Sequence, residues 1–453
     1  MGLDVTGGAG GVGAALEDLT AAAARLAEIA GDLTDVAGAL LRAGVAADLV
    51  TVALVSPVDA ARVAGALAQL AGPTGLIADA AAVAALAVTV RSAAAAYQAG
   101  ERAVASLVES AQDTVVLAVS RQAPILAVGV LAAGRSGVDV GAAADGLLFA
   151  VPELADLAGG VEGVVAGPAT PWDYEDGLTV LAAAGSSRGW LTEARHQVRV
   201  SAVPRDAAGV AAPESLADLL AIQAELEDPD GGPDSVRVVQ VPQADGSSAW
   251  VVVVPGTQDW SPRAGPNPSD LTSDVLLMAQ QETILAAGVE RALDLAQQQA
   301  GRAGLADPVL VAGHSQGGIV AAVLAADPGF RQRQRVTHVV ASGAPIARVP
   351  VPADVSVLAL EHHQDAVPRL EGERNADRRH HVTVTRDLRG GEVRTAGASH
   401  AAARYRETAA MVDASRSGSV AVWREGSEAF LSGSRHGTPT VRDYRVQRVG
   451  PSP

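Results

Sequence analysis

The hexapeptide Gly313-His314-Ser315-Gln316-Gly317-Gly318 constrains this chain more than any other stretch. It lies between the apolar runs at 309–312 and 319–324, so it reads as strand, sharp turn and helix with a serine at the apex. Glycines two before and two after Ser315 allow a cramped backbone that pushes the hydroxyl outward, while the first N–H groups of the following helix point at the same spot. A serine held in this way is placed to attack a carbonyl. In a chain with 48 glycines a bare G-x-S-x-G string can arise by chance, so the flanking strand and helix carry the weight.

Composition narrows the chemistry further. The chain has 453 residues, which is more than one comfortable core and predicts two or three domains. It has no cysteine, which excludes disulfides, thiolate metal sites and thiol catalysis, and leaves the work to Ser, His and acids. All 34 basic residues are arginine, and together with the abundance of Ala and Val this suggests a GC-rich, actinobacterial-type source. A net charge of −17 and a pI near 4.9 argue against a nucleic-acid partner, which needs a basic surface, and against anionic membranes. The mean hydropathy is positive, but the apolar runs at 49–58 and 122–134 have core-helix length, so no integral membrane span is expected. Met1-Gly2-Leu3-Asp4 lacks a basic segment followed by an apolar one, so no Sec signal peptide is expected either.

Along the chain, residues from about 11 to 135 are dominated by Ala with Leu and Val at helical spacing, as at Leu16, Leu19, Ala23, Leu26, Ile29 and Leu33. Ser56-Pro57 and Gly72-Pro73 punctuate a set of antiparallel helices. A Gly/Pro-rich stretch from Gly159 to Trp172 sets a boundary near 170, giving an all-α domain over 1–170 and a second domain over 171–453. In the second domain Val236–Val241 and Ala249–Val254 form a hairpin about Asp245-Gly246. A helix from about Asp274 to Gln299 follows, then the serine turn, and strands at Val336–Ala341, Val355–Glu361, Val382–Arg386 and Val393–Thr395. This alternation predicts an α/β fold with a doubly wound, mostly parallel sheet whose ligands sit at the carboxyl ends of the strands.

These residues resemble the α/β-hydrolase superfamily, and in particular its class 3 lipase-like serine esterases, over roughly residues 200–435. The resemblance implies a triad in the chain order serine, acid, histidine. Asp365, in Asp365-Ala366-Val367-Pro368 after the strand 355–361, occupies the acid's place in the D-x-V-P pattern; Glu361, at the strand end, is its rival. His400, in the loop-to-helix junction Ser399-His400-Ala401, occupies the place of the base. Other histidines stand in the serine turn (His314), in the acid's own loop (His362, His363), before a strand (His380, His381) or late in the chain (His436). The resemblance also implies two oxyanion donors, the N–H groups of Gln316 and of Thr257 in Pro255-Gly256-Thr257, with Gln258 as the alternative to Thr257. The implied activity is hydrolysis of a small-molecule or lipid-like ester or thioester with no cofactor and no metal. The alternative is a catalytically silent hydrolase-fold binding module. The loop 258–273 is long enough to be a lid, but it is mostly polar, with Trp260 as its sole large apolar side chain before Leu271.

The helical region is read in two ways. One is an accessory bundle. The other follows from Tyr97-Gln98-Ala99-Gly100-Glu101, which matches the Y-x-x-x-[DE] signal of type VII secretion substrates, although the W-x-G turn of that family is missing. Expected localisation is accordingly cytoplasmic or secreted by a non-Sec, type VII-like route, with a helical partner protein on the N-terminal region in the second case.

Overall fold

A computed structural model describes residues 2–100, 174–193, 196–204, 211–228, 235–391 and 393–450, together with 145, 148–150, 152 and 155. Glu101 of the tyrosine motif, the apolar run 122–134 and the boundary stretch 159–172 lie outside the described residues. Contacts divide the chain into two units, Val12–Glu109 and a larger one made of Met1–Gly11 with Ser110–Pro453.

The smaller unit is helical. It comprises α1 (Val12–Ala43), α2 (Ala47–Val55), α3 (Pro57–Ala71) and α4 (76–100), with α1 and α2 both packed on α3. Every buried hydrophobic residue among its described residues is alanine, and two runs, Ala23, Ala30, Ala37 and Ala80, Ala87, Ala94, repeat every seven residues. Small side chains at that interval let helix backbones approach closely along one seam. Large apolar side chains stay outside: α2 buries no residue, and Val50, Leu54 and Val55 are exposed. By length and composition alone, the stretches 12–55 and 57–100 are long and apolar enough to cross a membrane.

The larger unit is built on a mixed sheet. Among the described residues it has nine strands: β1 (Leu3–Gly7), β2 (Gln197–Val203), β3 (Ser235–Pro242), β4 (Ser248–Val254), β5 (Pro308–His314), β6 (Arg335–Ser342), β7 (Ser356–His362), β8 (His381–Arg386) and β9 (Thr440–Val449). Their spatial order is β1-β8-β7-β6-β5-β4-β3-β9-β2. Strands β4 to β8 run parallel, and antiparallel strands close both edges. Strict alternation sorts the side chains to two faces. Val252, Val254, Val311 and Val339 enter one core with α8 (Ile284–Gln299) and α9 (Gln316–Ala326), while Val251, Val253, Leu310 and Val340 enter the other. Into that second core pack α6 (Leu216–Glu227), α12 (Ala402–Asp413) and α13 (Gly418–Gly426). Further helices among the described residues include α5 (Tyr174–Ser186), α7 (Leu271–Met278), α10 (Pro328–Arg333) and α11 (Ala396–His400). This is the expected α/β-hydrolase-type fold, with a helical region in the N-terminal part.

Three local features differ from the sequence expectation. The helix expected over 274–299 is two helices, because Gln280 turns with φ +53° and Thr283 starts a new one by accepting the Ala286 N–H. Residues 393–395 are loop leading to the Thr395 cap of α11, not strand. The extreme N-terminus, read as part of a helical domain, supplies β1 as an edge strand antiparallel to β8.

Candidate active site

The candidate residues gather at the carboxyl ends of the parallel strands. Ser315 directly follows β5, with φ +52° and ψ −123°, a conformation a non-glycine residue adopts only when its surroundings enforce it. The enforcement is visible on both sides. A Cβ on Gly313 would lie 2.0 Å from the Gly317 carbonyl carbon, and one on Gly317 would lie 2.2 Å from Val254 O at the end of β4. The Ser315 N–H donates to Ser342 O of β6 at 2.8 Å.

Asp365 lies in the loop after β7 and is fully buried. Its Oδ2 accepts from His400 Nδ1 at 2.8 Å and from the Tyr405 hydroxyl at 2.6 Å, and its Oδ1 accepts from the Val367 N–H at 2.9 Å. Burial works against its charge, but the His400 ring and these hydrogen bonds hold its carboxyl below the ordinary range. Glu361, the rival acid, faces elsewhere: Asn375 Nδ2 donates to it at 2.6 Å, and burial pushes it up to about 7. Asp365 is therefore the acid that meets His400.

His400 ends α11, with its ring centroid 4.6 Å from that of His314, the residue before Ser315. With Nδ1 engaged by Asp365, Nε2 is the nitrogen left for the serine side. Among the described residues Ser315 Oγ makes no hydrogen bond to it. His362 stacks on Tyr405 at 3.9 Å and binds Ser399 O and Thr408 Oγ1, and burial pushes it down to about 4, as it also does His338 and His381.

The two oxyanion candidates also meet. Gly256 borders the serine, since a Cβ there would come within 3.2 Å of Ser315 Cβ. The Gln316 N–H opens α9 and so has no partner within its own helix. The Thr257 N–H has no partner among the described residues, whereas the Gln258 N–H donates to Ser269 O at 2.8 Å, which favours Thr257 of the two. The Thr257 hydroxyl donates to Asp274 at 2.9 Å and Gln316 Nε2 to Asp270 O at 2.7 Å, so both candidates are fastened to the first turn of α7. Burial pushes the Asp274 carboxyl up to about 7.

The loop 258–270 is braced at its base. Asp259 pairs with Asp270, and buried Arg448 of β9 donates to Gly265 O, Asn267 O and Asp270, and to Glu193. Trp260, next to that pairing, is 65% exposed.

Residues 271–421 match the PGAP1-like alpha/beta domain. The matched stretch of this α/β-hydrolase-type family holds Ser315, Gln316, Asp365, His400 and Tyr405, and stops short of Thr257, Glu227 and Arg448. Neither the curated proteins nor the solved structures give a match. The match thus covers the turn at Ser315 and the segments that hold Asp365 and His400, while β3, β4 and β9 of the same sheet lie outside it.

Proposed function

We propose that the protein is a serine hydrolase that cleaves a carboxylic ester or thioester through Ser315, His400 and Asp365. The observation that carries this is the 2.8 Å bond between His400 Nδ1 and buried Asp365, beside a serine in a strained elbow. In the proposed cycle His400 Nε2 takes the Ser315 proton as Oγ forms a bond to the acyl carbon. Asp365 keeps the ring in the required tautomer and balances its charge. The carbonyl oxygen becomes an oxyanion held by the N–H groups of Gln316 and Thr257; it collapses as the alcohol or thiol departs with the proton from His400, leaving an acyl-Ser315 ester. Water then repeats the sequence, giving up its proton to His400 and releasing the carboxylic acid. The likeness to class 3 lipase-like esterases in particular rests on the strand-Gly-Thr and D-x-V-P strings. The polar composition of 258–270 favours a soluble substrate over a lipid surface.

Turnover of a short p-nitrophenyl ester tests this. Ser315→Ala and His400→Ala should each lower kcat/KM by about 10⁴-fold with circular dichroism unchanged. Activity near wild type in either variant would remove that residue from the mechanism.

A further inference from the structure

We propose that Glu227 and His314 form a second carboxylate–imidazole pair, one that positions the base His400 and the donor segment Gly256-Thr257 around Ser315. The proposal rests on the triad just described and adds two positioning residues to it; neither touches the reacting atoms.

His314 closes β5 and is 3% exposed. Its Nε2 lies 2.8 Å from His400 O, and its Nδ1 lies 2.9 and 3.1 Å from the two oxygens of Glu227 at the end of α6. A carbonyl oxygen only accepts, so Nε2 carries a proton. Nδ1 then faces a carboxylate, and a lone pair there would repel it, so a second proton resides between the two groups. The pair is an imidazolium against a carboxylate. Burial works against both charges, yet Glu227 holds the His314 ring above its ordinary range and His314 holds Glu227 below its own. The other groups facing His314 are the His400 ring, the Tyr405 ring at 5.4 Å and the charge of Asp365.

Each partner has a second attachment. Glu227 Oε1 accepts the Gly256 N–H at 2.8 Å, and a Cβ on Gly256 would sit 3.0 Å from that oxygen. Glu227 therefore fixes the segment leaving β4, and His314 fixes the backbone of the base. Neutral His362 makes the matching contact one residue earlier, donating Nδ1–H to Ser399 O at 2.7 Å. Two successive carbonyls, 399 and 400, are gripped by two imidazoles, which leaves the His400 ring little freedom except towards Asp365 and Ser315. Misplacement of a reacting group by about 1 Å can cost on the order of 10²-fold in rate, and this is the freedom the pair removes.

The test uses the full-length enzyme and the same p-nitrophenyl ester from pH 5 to 10. Glu227→Ala should lower kcat by about 10²-fold with KM unchanged. Glu227→Gln can still accept from Gly256 and can donate its amide N–H to His314 Nδ1, so it should recover kcat to within about 10-fold of wild type. It should also abolish the alkaline fall in kcat that arises in wild type when His314 loses its Nδ1 proton opposite a carboxylate. Two results would overturn the proposal: wild-type kcat in Glu227→Ala, or equal losses in both variants with an unchanged pH profile. If Glu227→Ala does not fold, the pH profile of Glu227→Gln decides alone. Ser315→Ala run in parallel separates the two failures, since an inactive Ser315→Ala beside a wild-type-like Glu227→Ala defeats only the pairing.

Discussion

At the scale of single residues, the turn at Ser315 was legible because its signal is local: Gly313 and Gly317 are needed by contacts within the turn and with the end of β4. Asp365, His400 and Thr257 stood out through their places after strands, and Glu361 stood as a rival only because sequence does not say which way a strand-end side chain faces. Tyr405 and Glu227 could not be found that way. Their partners are 40 and 87 residues distant, and a tyrosine in a helix looks like any core residue. Tyr405 matters because its hydroxyl shares Oδ2 of Asp365 with His400. Tyr405→Phe should therefore lower kcat by about 10-fold and stability by roughly 1.5–3 kcal/mol, the usual cost of losing a hydrogen bond to a charged group. Steady-state kinetics and denaturant unfolding on one preparation check both, and unchanged kcat would mean that His400 alone is enough to hold the acid.

At the scale of elements, periodicity revealed β3 to β8 because they alternate or are uniformly apolar, and the β3–β4 hairpin because Asp245-Gly246 marks its turn. It missed the edge strands β1 and β2, whose exposed positions carry polar residues, and β9 between β2 and β3, where arginines at 442, 445 and 448 interrupt the apolar pattern. Strand β9 bears the residue that does most for the site from a distance. Arg448 is buried against Glu193 and Asp270, and through Asp270 it anchors both α7 and the loop 258–270. Arg448→Ala leaves two carboxylates with no cation in a closed site, which typically costs about 3–5 kcal/mol. A lowered unfolding midpoint together with new protease cleavage within 258–270 is expected. Cleavage resistance equal to wild type would show that the loop is held without Arg448.

At the scale of the whole molecule, titration of buried groups sets how stability follows pH. Asp274 and Glu361 are raised to about 7 and Glu371 to about 8, each chiefly by burial, and His314 is raised by Glu227 against its burial. All four keep protons in the folded state that the unfolded chain gives up, so the stability they contribute is present at lower pH and is lost as pH rises through their folded values. Between about pH 4.5 and 6.5 the histidines lowered to about 4, namely His338, His362 and His381, act in the opposite sense. The melting temperature should therefore change little over that acid range and fall from pH 6.5 to 8.5. A rise over the alkaline interval would mean that the buried carboxyls are ionised at neutrality. None of this was readable from a net charge of −17, because the charged groups that matter are the few the fold encloses. The central claim, that Ser315 is a nucleophile made reactive by His400 and Asp365, is tested most directly by intact-mass analysis after exposure to a fluorophosphonate, with peptide mapping of the adduct. A single adduct on Ser315, absent in Ser315→Ala and strongly slowed in His400→Ala, is predicted. An unlabelled wild-type chain, or one modified equally in Ser315→Ala, would contradict it.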